Sequence, residues 1–281
     1  MRPSTPLRLL ALAAPLLLGA CTSYDFVEQD VLLHHDAETD ELELLLVYED
    51  LRETDSKSAA VVAADGGGAQ HFILAEWPWE LFLDDLDAEL GAKDNPLSER
   101  ARAFFAGVRV AEAELFRRAD GALCLYQRVR MRGASEGLGI VDDALTELVL
   151  ALDEEYLAAS WEPGTAALLV EHARAARPWF RFEGGALIAQ LPLTPAGAAQ
   201  LLPRLLESAH DGARLHELFA PLSELSWRDD GLCTLRFAPD AEGWIRLRFR
   251  KPDRAELAPI ALDADVRVAE RPPEAAQALL R

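Results

Sequence analysis

Paired runs of alternating apolar and polar residues, each pair hinged on a short turn, constrain this chain most. Residues 108–118 and 122–132 flank Asp120-Gly121, a dipeptide favoured in tight hairpins because their central residues take positive φ. In the second run Tyr126, Arg128, Arg130 and Arg132 fall on one side, and Leu125, Gln127, Val129 and Met131 on the other. This period of two predicts a strand with one wet face and one mostly buried face. Three similar pairs follow the same plan. Residues 27–36 and 41–51 flank a turn at 36–40, residues 180–182 and 186–193 flank Gly184-Gly185, and residues 225–228 and 232–237 flank Asp230-Gly231. Residues 71–76 and 244–249 read as further strands.

Helical patterns fall between these pairs. Pro96 and Ser98 open a helix that runs through Phe105. Ile140, Val141, Ala144, Leu145, Leu148, Val149, Leu152 and Tyr156 form one stripe at a period of 3.6. Residues 81–90 are apolar and acidic at helical spacing, and residues 166–176 and the tail 272–281 also read as helical. Pro163-Gly164 reads as the end of the region before residue 166. Thr194-Pro195 is a helix start, with Thr as cap and Pro in the first turn, and Pro203 should kink or divide that helix. The predicted class is α+β, with antiparallel β-hairpins alternating with helices packed on the sheet. Residues 115–125 and 225–235 align Asp-Gly on Asp-Gly. That alignment leaves open two similar halves, 27–160 and 165–281.

Residues 1–21 follow a different plan. Arg2 and Arg8 lie in a short basic segment, residues 9–18 are Leu, Ala and one Pro, and Gly19 and Ala20 are small. This is the layout of a secretory signal peptide. A spanning helix needs about 20 apolar residues; this run stops well short of that, and Pro15 works against a helix. Leu18-Gly19-Ala20-Cys21 resembles the lipobox of bacterial lipoproteins, over these residues alone. The resemblance implies removal of residues 1–20, several acyl chains on Cys21, and a mature chain that begins there. Two or more chains hold a protein stably on a bilayer. Thr22, where Asp would signal otherwise, implies the outer membrane by the sorting rule of that family. Residues 21–26 would then be a spacer and 27–281 the body.

Loss of Arg2 and Arg8 takes the formal charge from −20 to −22. So acidic a body lacks the clustered Lys and Arg that phosphate contacts need, which argues against nucleic acid as a partner. Anionic headgroups should repel it. Export would place Cys124 and Cys233 where disulfides persist. Each also sits in an apolar, strand-like run that suits a buried free thiol, so a Cys124–Cys233 bond and two free thiols both stand open.

Gly133-Ala134-Ser135-Glu136-Gly137 matches G-x-S-x-G and is similar to the nucleophile elbow of α/β-hydrolases. The resemblance implies that Ser135 attacks an ester carbonyl while a histidine, His210 or His216, takes its proton. Asp65-Gly66-Gly67-Gly68 reads as a loop and lies upstream, where that family places an oxyanion loop reading His-Gly-Gly-Gly. An elbow strand, however, sits in a parallel sheet and is apolar throughout, whereas the run before Ser135 has a wet face and a hairpin partner. The alternative is an ordinary strand-to-helix loop.

His34-His35-Asp36 alternates about a strand and lacks the further ligands of a zinc site, which has roughly three or four. Residues 85–89 carry acids at calcium-loop spacing, but Leu90 and Pro96 stand where glycine and glutamate belong. Trp77-Pro78-Trp79 offers either an aromatic platform or two core anchors. His172 falls beside an apolar stripe and reads as a packed histidine. No cofactor or metal is expected. The leading reading is a lipid-anchored envelope protein whose body is a non-catalytic binding module. The alternatives are a secreted serine esterase using Ser135 and a saccharide or small-ligand binder using Trp77 and Trp79.

Overall fold

The computed structural model describes residues 24–66, 71–72, 81–82, 99–105, 107–152, 163–194, 196–197, 222–227, 232–250 and 252–277. The chain opens with strand β1 (Tyr24–Asp36), which returns as β2 (Glu41–Glu53) and passes into helix α1 (Ser58–Gly66). Next come β3 (His71–Phe72), β4 (Leu81–Phe82), α2 (Glu99–Phe105), the hairpin β5 (Arg109–Arg117) and β6 (Leu123–Arg132), and α3 (Ala134–Ala151). Helix α4 (Pro163–Arg174) precedes β7 (Phe180–Glu183) and β8 (Ala186–Pro192). The chain closes with β9 (Leu222–Trp227), β10 (Leu232–Phe237), β11 (Ile245–Arg250), a 3₁₀ turn (Pro252–Glu256) and α5 (Glu274–Gln277). Among the described residues no helix is long and apolar enough to cross a membrane.

The expected α+β class holds. A five-stranded sheet has the order β11-β1-β2-β6-β5, and a four-stranded sheet the order β7-β8-β10-β9. Every pairing within them is antiparallel. The orders β1-β2-β6-β5 and β7-β8-β10-β9 place two hairpins in the same arrangement twice. Leu115 pairs with Leu125 and Leu225 with Leu235, so the sequence match between these hairpins is also a match of register. Strand β11 then returns from the second half to pair with β1.

Alternation along the strands builds the core. Val31, Leu33, Leu44, Leu46, Leu125 and Val129 project from the first sheet into one buried cluster, which Val62 of α1 and Ala101 of α2 join. The second sheet contributes Ala189 and Phe237, with Phe180, Leu187 and Leu235 packed partly buried beside them. The two sheets therefore share a core, in which each fully buried Leu or Val is worth about 1.5–3 kcal/mol. The opposite face of the first sheet carries a smaller cluster of Leu32, Leu45, Val47, Phe116, Cys124 and Tyr126, covered by Ala276 of α5.

Tyr24, Phe26 and Leu51 share the main core with Val31 and Tyr48, although strict alternation would put them on the other face. Both strands change phase at Val27 and Asp50, and Asp50 accommodates this at φ 57°.

Five expectations need correction. Asp120-Gly121 was expected to hold two positive-φ residues, but only Gly121 (φ 88°) does. The Arg118 N–H donates to Ala122 O and the Gly121 N–H to Arg118 O, which makes a three-residue loop ending in a left-handed glycine. Helix α3 begins at Ala134, six residues before the apolar stripe, and Pro163-Gly164 begins α4 rather than ending the preceding region; proline fits the first helical turn because its missing N–H would be unpaired there. Asp65 and Gly66 are the end of α1, not a loop. Leu81–Phe82 is a strand; the rest of residues 83–90 lies outside the described residues. The expected cap is present, with the Gly197 N–H donating to Thr194 Oγ1 at 2.9 Å.

Candidate functional site

The G-x-S-x-G segment lies where β6 ends and α3 begins. Gly133 has φ 72° and ψ 49°, a left-handed conformation that glycine adopts without strain. Its N–H and that of Ala134 donate to Asp40 O. The Ser135 N–H donates to the Asp40 carboxylate at 3.1 and 3.3 Å, and Ser135 Oγ donates to Asp40 Oδ1 at 2.8 Å. Asp40, in the β1–β2 turn at φ 53°, thus caps α3 from 95 residues away. A carboxylate at a helix N-terminus accepts from unpaired N–H groups and meets the positive end of the dipole.

Gly137 has a separate reason. A Cβ there would come 2.5 Å from the Phe104 ring of α2. At Gly139 a Cβ would meet the Arg100 guanidinium at 2.7 Å, which is paired with Glu136 and Asp143. These two glycines let α2 lie close against α3.

Ser135 is exposed, yet its hydroxyl is directed at a carboxylate rather than at a histidine. His35 reaches the same Oδ1 of Asp40 through Nε2 at 3.1 Å. The order is serine, aspartate, histidine, whereas a nucleophile needs the histidine in the middle. Strand β6 runs antiparallel to both neighbours, so the parallel sheet of an elbow is missing. The Asp65 carboxylate, at the expected oxyanion loop, is buried and accepts from the Tyr24 hydroxyl at 2.9 Å. A Cβ on Gly66 would meet Leu115 at 2.3 Å. Packing and capping account for each of these motif residues. His210 and His216 lie outside the described residues, as do Trp77, Trp79 and residues 85–89.

His34, His35 and Asp36 diverge. The His34 ring packs 5.1 Å from Trp244. His35, nearly buried, stacks on Phe182 of β7 at 4.1 Å, and its Nδ1 is buried without a partner. Asp36 folds its own turn, accepting from the Glu38 N–H and the Thr39 hydroxyl at 2.8 Å each. No metal site forms from the three. Burial raises the pKa of Asp40, but the hydrogen bonds from His35 and Ser135 outweigh it and leave the carboxyl lowered.

Helix α3 also holds the second sheet. Asp142 Oδ1 accepts from the Trp179 and Phe180 N–H groups at 3.0 Å each, and Trp179 Nε1 donates to Thr146 Oγ1 at 3.0 Å. His172 is buried against Trp179 at 4.4 Å, as a packed histidine should be. Asp40, His35 and Asp142 therefore tie the first turn, α3 and β7 together. His35 and Asp40 are five residues apart, but the contacts of Asp40 with Ser135 and of Asp142 with Trp179 span 95 and 37 residues and have no local sequence signature.

A second polar cluster lies on the α5-covered face. Glu28, Asp30 and Glu49 bring carboxylate oxygens within 4.8 Å of one another, a spacing able to hold a cation. Arg248 pairs with Glu28 at 3.1 Å and Asp30 at 2.9 Å, and Arg118 pairs with Glu49 at 2.6 Å. Two guanidinium groups thus already neutralise most of the charge. Burial raises the Glu49 pKa and, despite the Arg118 bond, repulsion from Glu28 and Asp30 adds to that rise.

Cys124 and Cys233 are buried and free. Of the two alternatives left open by the sequence, the free thiols are found, because the first sheet stands between the two cysteines. Cys124 lies on its α5-covered face, whereas Cys233 shares a strand face with Leu235, which packs against the shared core. Burial pushes both thiols up to about 11. No family model, curated protein or solved structure matches this chain.

Proposed function

We propose that the chain is a lipid-anchored protein of the bacterial cell envelope, cut before Cys21, whose body is a non-catalytic binding or interaction module. One observation carries the reading: Leu18-Gly19-Ala20-Cys21 ends a basic, apolar, small-residue leader in the order that export and lipid transfer require. Tyr24 and Phe26 are buried in β1, so residues 24–26 belong to the body rather than to the expected spacer, and this brings the fold close to the modified cysteine. Thr22 favours the outer membrane. The non-catalytic part is supported by the accounting at Ser135, whose hydroxyl and N–H are committed to capping α3.

Fractionation tests the anchor. The native chain should sediment with membranes and need detergent for release. A version with a conventional cleavable signal in place of residues 1–21 should be free in the envelope extract. Release of the native chain by salt alone would contradict the reading.

A further inference from the structure

We infer that one end of the first sheet, formed by residues 53–57 and the 252–259 segment, is the face that lies against the lipid headgroups. This rests on lipid attachment at Cys21 and adds which surface meets the bilayer.

Only Thr22 and Ser23 separate Cys21 from Tyr24, and three peptide steps span at most about 11 Å. Tyr24 is no loose end. It is 1% exposed, belongs to the main core, donates its hydroxyl to Asp65 at 2.9 Å and pairs with Glu53 of β2. The lipid-bearing residue is thus held close to a fixed point of the fold.

Several contacts define what surrounds that point. Arg254 pairs with Asp25 at 2.7 Å, Arg52 donates to Leu257 O at 2.9 Å, and the Glu53 N–H donates to Ala258 O at 2.8 Å. Residues 53–57 and Ala255, Glu256, Ala258 and Pro259 are exposed around it.

Charge does not draw this rim to a membrane. Over these two segments Glu53, Asp55, Asp253 and Glu256 outnumber Lys57 and Arg254, so anionic headgroups repel the rim. Chain length alone imposes the approach. At the other end of β1, twelve residue steps of about 3.3 Å place the β1–β2 turn roughly 40 Å from Tyr24. Ser135 and the Asp40 cap lie there, so the α3 N-terminus faces away from the bilayer.

Single cysteines report this directly. Lys57→Cys and Glu256→Cys mark the near end, and Glu38→Cys and Glu183→Cys the far end; all four positions are exposed. Native Cys124 and Cys233 are buried and Cys21 is blocked by its lipid, so a thiol-reactive fluorophore reads the introduced site. The full lipidated chain is reconstituted in phosphatidylcholine vesicles carrying a headgroup nitroxide quencher. The expected result is loss of most fluorescence at 57 and 256, with none at 38 and 183. Equal quenching at both ends, or quenching confined to the far end, in a chain that floats with the vesicles would overturn the orientation. A chain that carries no lipid by mass and does not float would overturn the anchor on which it rests.

Discussion

Asp40 is the residue through which the β1–β2 turn holds α3, and its replacement gives the sharpest test of the site as a structural joint. In Asp40→Ala the Ser135 N–H and hydroxyl and the His35 ring lose their acceptor. Loss of an N-cap costs about 1 kcal/mol, and loss of a negative charge at a helix N-terminus costs about 0.5 kcal/mol. Alanine at φ 53° adds up to about 1 kcal/mol, because it lacks the short polar side chain that lets Asp and Asn adopt the left-handed region. The sum is roughly 2–3 kcal/mol, which in a domain of this size lowers Tm by roughly 5–10 °C. Asp40→Asn keeps an acceptor and tolerates the left-handed backbone, so it should lose about 0.5 kcal/mol through the charge alone.

The sign of the pH dependence follows from the lowered Asp40 pKa. A carboxyl depressed in the folded state contributes stability above its unfolded pKa, and that stability fades as pH falls through the folded value. The gap between native and Asp40→Asn should therefore hold at neutral pH and close in acid. Thermal unfolding of the body, followed by circular dichroism from neutral pH to pH 3, reads both effects. Equal Tm for the Ala and Asn variants, or a gap that widens in acid, would refute this reasoning.

Other perturbations address neighbouring parts of the fold. Gly137→Ala should destabilise the native chain by roughly 1 kcal/mol through crowding of Phe104. In a Phe104→Ala background it should stabilise by about as much through helix propensity, and a denaturant double-mutant cycle measures the reversal. Arg248→Ala leaves Asp30, 0% exposed, without its bidentate partner, and should cost about 3–5 kcal/mol in urea unfolding. Glu49 has a raised pKa, so its contribution is fully present below the unfolded pKa and lost as pH rises through the folded one. Glu49→Gln should accordingly raise Tm at pH 7 and change it little near pH 4. Under denaturing, non-reducing conditions the chain with Cys21→Ser should titrate two thiols, Cys124 and Cys233, and almost none when native; no thiols in denaturant would mean that they are bonded.

The strands were legible because their signal is local. Alternation and glycine turns locate both ends of β6 and β8 to within one residue, and the turn read at Gly184-Gly185 is present, with both glycines at positive φ. The phase change at Val27 and Asp50 was not legible, since a period-two pattern assumes an unbroken pleat. Helix α1 was missed because residues 58–66 carry no apolar stripe; only Ser58, Val62 and Asp65 are buried. The start of α3 was misplaced for a related reason, because Asp40 supplies its cap from a distant turn and no capping residue precedes Ala134. Gly133, Ser135 and Gly137 match a catalytic pattern by spacing, but what each contacts depends on Asp40 and Phe104. The order of strands across the two sheets was suggested only by the match of residues 115–125 with 225–235, which the register of the two hairpins repeats.

A lipid at Cys21 would hold this acidic body to a membrane with only Thr22 and Ser23 between them. Intact mass of the membrane-extracted native protein beside Cys21→Ser tests that claim most directly. The account predicts a native chain that begins at Cys21 and carries a diacylglycerol or triacyl increment, with no such increment on the variant. An unmodified native chain, or one cut at another residue, would contradict it.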